Sequence, residues 1–141
     1  MILLDTNHVS VLRMPTSERR TRLVERMTLA HGEVFGIPIV AVEETMRGWL
    51  AAIAKERTAQ RQVSAYRELS SLFVFFATFP IPPFDRDAAD RFDALKAAKV
   101  RIATRDLKIA AISLANKALL LTANRQDFEK VPGPKFENWL E

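Results

Sequence analysis

Short apolar runs alternate along the chain with longer stretches in which apolar residues recur every three or four positions. Ile2-Leu3-Leu4 is fully apolar and ends at Asp5-Thr6-Asn7, the pattern of a buried strand entering a capped helix. A first helical stretch is predicted over His8 to Arg13, with Pro15 breaking it. From Ser17 to Ala30, Leu23, Val24, Met27 and Ala30 repeat at helical spacing, and Gly32 supplies a stop. Ile37 to Val42 reads as a second strand, kept short by Pro38.

Beyond it, Val42, Met46, Trp49, Leu50 and Ile53 fall on one helical face. The next helix is expected to turn Val63, Tyr66, Leu69 and Leu72 inward, and its end, Leu72 to Phe79, is apolar on every side and expected to be buried. Pro80, Pro82 and Pro83 end it. Asp85 caps a helix in which Ala88, Ala89, Phe92 and Leu95 repeat, and Thr104 caps another running to Lys117. Leu119-Leu120-Leu121 is a further buried strand, and Phe136 to Leu140 a last short one. Apolar strands alternating with helices predict a parallel sheet covered on both faces. Residues 1–141 contain no repeat, low-complexity tract or linker and read as one α/β domain.

Composition narrows the chemistry. At 48% hydrophobic and 27% charged, the chain is ordinary globular protein. The absence of Cys excludes a disulfide scaffold, thiolate-held zinc and thiol catalysis. Two His, 23 residues apart, do not make a His-rich metal site. No apolar run reaches the roughly 18 residues of a membrane span, and Met1 leads into Ile-Leu-Leu-Asp with no basic leader region. The expectation is a cytoplasmic protein with no membrane partner, in which carboxylates carry any metal or acid–base work.

Charge adds location. The net charge of +4 comes wholly from the ends: residues 1–30 hold five basic and three acidic groups, residues 101–141 seven and five, and the middle balances. Arg outnumbers Lys 14 to 7, which suits bidentate phosphate contacts.

In open α/β sheets, ligands bind outside the carboxyl ends of the strands. Asp5 ends the first strand, Glu43 and Glu44 follow the second, and Asn124 and Asp127 follow the Leu119–Leu121 run. Asp106 joins them from the first turn of the helix begun by Thr104. Each has a structural explanation as a cap, a first-turn acid or a solvated helix charge. Of the adjacent pair only one can face a cleft, because neighbours point in different directions; Glu43 shares a stripe with Arg47 and could pair with it. Converging carboxylates repel unless a hard cation such as Mg²⁺ or Mn²⁺ sits among them.

Four blocks in this order, LDTN, VEETMRG, RIATRDLKIAAISL and LLTANRQDFEKVPG, resemble the PIN-domain ribonucleases, and more narrowly the VapC toxins of toxin–antitoxin pairs. The resemblance spans Ile2 to about Leu140. It implies a PIN-like three-layer α/β/α sandwich with a mostly parallel sheet of four to five strands. It implies an Mg²⁺-dependent endoribonuclease, with Mn²⁺ as substitute, whose acids are Asp5, Glu44 (the Glu before x-x-x-Gly), Asp106 and Asp127. Asp5 and Asp106 would hold the metal directly, Glu44 and Asp127 through water or at a second ion. Thr6 or Thr104 would orient the attacking water, with Thr122 and Asn124 at the rim, Asn124 as a neutral donor. Arg101, Arg105, Lys108 and Arg125, nearest the acids, would hold the RNA backbone. Expected partners are RNA, a VapB-like antitoxin docking in a hydrophobic groove near residues 7–30 and 42–70, and a second copy of the chain in a homodimer. Ala103 and Ala123 depart from the pattern, standing where Gly and Arg are common.

His8 could touch substrate, but a capping or surface role is expected of it. His31 reads as a helix-end cation, and Trp49, Tyr66, Phe128 and Trp139 as packing residues. Two other classes remain open: a metal-free PIN-like module binding RNA or protein, and an acidic-site phosphotransferase. The latter wants a second Asp two residues after the first, where this chain has Asn7.

Overall fold

The computed structural model describes residues 1–141. Four strands, β1 (Ile2–Leu4), β2 (Phe35–Gly36), β3 (Leu119–Leu121) and β4 (Lys135–Glu137), form one all-parallel sheet in the order β2-β1-β3-β4. From β1 the chain moves outward to β2, then returns past β1 to enter β3 on its other side. That reversal opens a crevice above the carboxyl ends of β1 and β3. The register pairs Leu4 with Leu121, so the next residues, Asp5 and Thr122, leave the sheet side by side.

Alternation along the strands divides the core. Ile2, Leu4 and Leu121 pack against α1 (Thr6–Leu12), α2 (Glu18–Leu29), α3 (Ile39–Lys55) and α4 (Ala59–Phe76). Leu3 and Leu120 face the other way, toward α5 (Arg86–Ala97), α6 (Thr104–Ala115) and α7 (Arg125–Phe128). The result is the expected three-layer α/β/α sandwich. Side-chain caps fix three helix starts: Ser17, Thr58 and Asp85 each accept a hydrogen bond from the backbone N–H three residues on. No helix is long and apolar enough to cross a membrane.

Several elements differ from the sequence expectation. The strand predicted over residues 37–42 is mostly helix, because α3 begins at Ile39 with Pro38 at its cap. Ile37 and Ile39 do donate sideways, to the carbonyls of Pro80 and Pro82 at 3.0 Å each. Pro80 and Pro82 have no N–H to return, so the pairing stops short of a strand. The chain then winds up, with Ala41 and Val42 donating to the Pro38 carbonyl. On α4, Val63, Tyr66, Phe73 and Val74 are exposed, not inward; the buried stripe is Ala65, Leu72 and Phe76. α4 packs chiefly along α3, which covers only one of its faces. α1 starts at Thr6, two residues early, since Asp5 serves as its cap. Thr104 is the first residue of α6 and Ala103 holds the cap position at φ −54°, a conformation that does not require Gly. β4 ends at Glu137, not Leu140, as the chain turns inward to bury Trp139 and Leu140.

Gly36 is the most closely approached of the four glycines. A Cβ there would meet Leu3 Cδ2 and the Pro80 carbonyl oxygen, each at 3.1 Å. Backbone cannot step aside as a side chain can, so Gly36→Ala is expected to destabilise by about 1–3 kcal/mol. Urea unfolding at neutral pH would measure it; an unchanged midpoint would show that the 80–83 segment yields freely.

Candidate metal centre at the carboxyl ends of the strands

The loop after β1 brings Asp5 into the crevice, where it is buried. Its Oδ1 accepts from the Thr6 N–H at 2.7 Å and its Oδ2 from the Thr122 hydroxyl at 2.8 Å. The Asp5 N–H continues the ladder to the Leu121 carbonyl at 2.9 Å, which fixes the carboxylate at the junction of β1 and β3. Glu44, on the second turn of α3, accepts from the Thr6 hydroxyl at 3.1 Å, with Arg105 Nη1 3.7 Å from the same oxygen. Asp106 enters from the first turn of α6, and Asp127 from α7. Asn124 ties these last two together, its Nδ2 donating to Asp106 Oδ2 at 3.1 Å and Asp127 Oδ2 at 2.9 Å. Its backbone N–H donates to the Thr122 hydroxyl at 3.0 Å. One hydrogen-bonded chain therefore runs from Glu44 through Thr6, Asp5, Thr122 and Asn124 to Asp106 and Asp127.

Neutral groups make that chain, and its charge is poorly balanced. Arg105 and Lys130, the latter 3.9 Å from Asp127, are the cations paired with the four acids, and both are more than half exposed. Burial pushes the Asp5 carboxyl up from the usual 3.8 to about 6, with Asp106 and Glu44 adding repulsion against the hydrogen bonds of Thr122 and Thr6. Asp106 is raised as well, first by burial and then by the charges of Glu44 and Asp127. Asp106 is thus the hub, coupled to the other three. This electrostatic deficit is one a divalent cation would relieve, and hard carboxylate oxygens are the donors Mg²⁺ and Mn²⁺ prefer. No three of the acids form a group that could ligate a single ion. The set suits an ion held by one or two carboxylates with water completing its shell, as is common for Mg²⁺.

The structure thus brings all four sequence-predicted acids together, with Asn124 as the neutral donor between two of them. Glu43 lies on the surface, paired with Arg47. Thr6 is present but engaged by Glu44, and the hydroxyl of Thr104 makes no side-chain hydrogen bond on the exposed edge of α6. Thr122, expected at the rim, is fully buried at the centre. The signal was available in the parallel pairing of two three-residue apolar runs, which makes Thr122 the neighbour of Asp5. Of the expected backbone cations, Arg101, Arg105 and Arg125 are exposed, whereas Lys108 holds its ammonium 5.6 Å over the Phe84 ring.

His8 corrects the sequence expectation most. It is neither at the surface nor a cap but completely buried. Its Nε2 accepts from the Trp139 N–H at 3.2 Å, which places the proton on Nδ1, donated to Asn7 Oδ1 at 2.7 Å. Asn7 Oδ1 also accepts from the Ala123 N–H. Burial, with Arg19 and Arg26 nearby, lowers the His8 pKa from 6.5 to about 4. Tyr66 is exposed where a packing role was expected, while Phe128 and Trp139 are core.

A three-layer α/β/α protein whose crevice at the sheet reversal is filled by carboxylates is the class these features define. A family model for the PIN domain matches residues 2–134, and the chain belongs to that family. Solved structures of similar fold include DNA-bound VapBC from Salmonella typhimurium, at 21% identity and TM-score 0.75, covering 98% of this chain and 97% of that one. VapBC-1 from nontypeable Haemophilus influenzae has 19% identity and TM-score 0.75, with full coverage of both chains. A FitAB complex bound to a DNA fragment has 26% identity and TM-score 0.72, covering 100% and 96%. No curated protein matches the chain.

Proposed function

We propose that this chain is a metal-dependent endoribonuclease, the toxin half of a VapBC-like toxin–antitoxin pair. The observation that carries the reading is the meeting of four carboxylates in a crevice where neutral donors supply the hydrogen bonds and the two paired cations, Arg105 and Lys130, are mostly exposed. Asp5 and Asp106 would hold Mg²⁺, or Mn²⁺ in its place, with Glu44 and Asp127 holding water in its shell or a second ion. Bound Mg²⁺ supplies Lewis-acid neutralisation of charge on the phosphate oxygens and acidifies water for in-line attack on phosphorus.

The chain's own groups do the aiming. Thr122 and the Thr6 N–H lock both oxygens of Asp5, and Asn124 bridges Asp106 and Asp127 without adding charge. The Thr6 hydroxyl occupies one Glu44 oxygen, leaving the other available to take a proton from the attacking water. Arg105 and Arg125, exposed beside the acids, would contact backbone phosphates. The assemblies named for its structural neighbours support an antitoxin as the protein partner, and a homodimer is proposed with it. A metal-free binding module is the second reading, favoured by the lack of a three-carboxylate group able to ligate one ion.

Incubating purified protein with total RNA, in Mg²⁺ and then in EDTA, separates the two. Cleavage is expected in Mg²⁺ alone and should fall in Asp106→Asn by roughly 100-fold or more, the loss of several kcal/mol of transition-state stabilisation. A wild type inert in both Mg²⁺ and Mn²⁺ would overturn the nuclease reading.

A further inference from the structure

A hollow of about 700 Å³ opens beside Asp127 and Thr104, between the end of α5 and the start of α6. Lys96, Lys99 and Arg101 stand along it, over an apolar wall that includes Phe92, Val100 and Ile102. A second hollow, of about 660 Å³, shares Lys99, Val100 and Arg101 with the first and extends past Glu129 and Lys130 to Pro132. The shared residues make the two one trough, and Asp127 is the acid of the site that borders it. None of Lys96, Lys99 and Arg101 forms an ion pair, whereas Arg13, Arg47 and Arg91 do; Lys96 holds its ammonium 5.6 Å over the Phe92 ring of the wall.

Backbone conformation supplies a handle for testing Lys99. Lys99 has φ +60°, the left-handed position after a helix where Gly is the usual occupant. Its neighbours close the turn, Val100 N–H donating to the Leu95 carbonyl. A residue with a side chain is strained there. α6 ends in the same way at Lys117, φ +50°. Lys117, however, precedes β3 and so lies at the opposite end of the strands from the acids. It is a built-in control.

We infer that this trough is the track for single-stranded RNA next to the scissile phosphate, with Lys96, Lys99 and Arg101 on successive phosphates and an unstacked base against the apolar wall. The inference rests on the ribonuclease reading. Single strands fit because only they can turn a base aside into such a recess. A duplex has no free base to place there.

Binding of a fluorescent single-stranded RNA of about 12 nucleotides tests this by anisotropy, in an Asp106→Asn background so that nothing is cut. Adding Lys99→Gly should weaken binding about 3- to 10-fold and reduce the slope of log K against log salt by about 0.7, one phosphate contact. It should also raise the melting temperature by about 3 °C as strain is relieved. Lys96→Ala and Arg101→Ala should weaken binding similarly. Lys117→Gly should raise the melting temperature and leave affinity unchanged. Unchanged binding in Lys99→Gly overturns the track, as does an equal loss in Lys117→Gly or equal affinity for a duplex of the same sequence. Because binding is read without cleavage, an inert wild type with this mutational pattern would sink the nuclease reading and keep the track. Active wild type with unaltered binding would do the reverse.

Discussion

Asp5→Asn is expected to abolish RNA cleavage and yet make the metal-free protein more stable. Asn is nearly the same shape, so its side-chain carbonyl can still accept from the Thr6 N–H and its amide can donate to the Thr122 hydroxyl. What it removes is a charge buried beside Asp106 and Glu44. The folded-state pKa of Asp5, about 6, lies above its usual 3.8. Its contribution to stability is therefore full below about 3.8 and disappears as pH rises through about 6. At pH 7 the ionised group costs up to about 3 kcal/mol, so Asp5→Asn should gain about 1–3 kcal/mol in EDTA. Urea unfolding with EDTA at pH 7 would measure the gain. A variant less stable than wild type would mean that the hydrogen bonds to the carboxylate outweigh its desolvation.

His8→Ala is expected to act in the opposite direction, costing about 2–4 kcal/mol although it touches no acid of the site. It empties a buried ring position and leaves the Trp139 N–H without its acceptor. Burial of His8, with Arg19 and Arg26 nearby, also makes the fold acid-sensitive. His8 is neutral when folded, with a pKa near 4 against 6.5 in the unfolded chain, so acid favours the unfolded state. Stability is lost as pH falls from about 6.5 toward 4, by up to about 3 kcal/mol. Over much of that range Asp5 offsets it, because protonating Asp5 favours the folded state. Wild type should therefore change little between pH 6 and pH 4 from these two groups, while Asp5→Asn should lose stability steadily. Denaturation midpoints against pH for both proteins check this, and an imidazole titration by NMR that placed His8 near 6.5 would contradict it.

The candidate site was more legible than the packing around it. Asp5, Glu44, Asp106 and Asp127 come from chain order together with the PIN resemblance; the apolar pattern alone leaves Glu43 against Glu44 and Asn124 against Asp127 open. Thr122 could be placed at the centre only by register, the pairing of Leu4 with Leu121. The misread segment, 37–42, is an almost continuous apolar run, in which helix and buried strand look alike. Its fate is decided by hydrogen bonds to Pro80 and Pro82, some 40 residues away. On α4, a stretch apolar on every side has no period to say which face turns in, so the exposure of Phe73 and Val74 follows from α3 covering chiefly one face. His8 is buried by a contact 131 residues distant in sequence. Local pattern reports local elements; these three outcomes are tertiary.

If the four carboxylates hold a divalent cation, its binding can be read directly. Calorimetric titration of Mg²⁺ or Mn²⁺ into wild type, Asp5→Asn and Asp106→Asn tests it without reference to activity. Saturable binding to wild type, weakened about tenfold or more in both variants, is the predicted result. Binding that is undiminished in both variants would place the metal elsewhere and contradict the account.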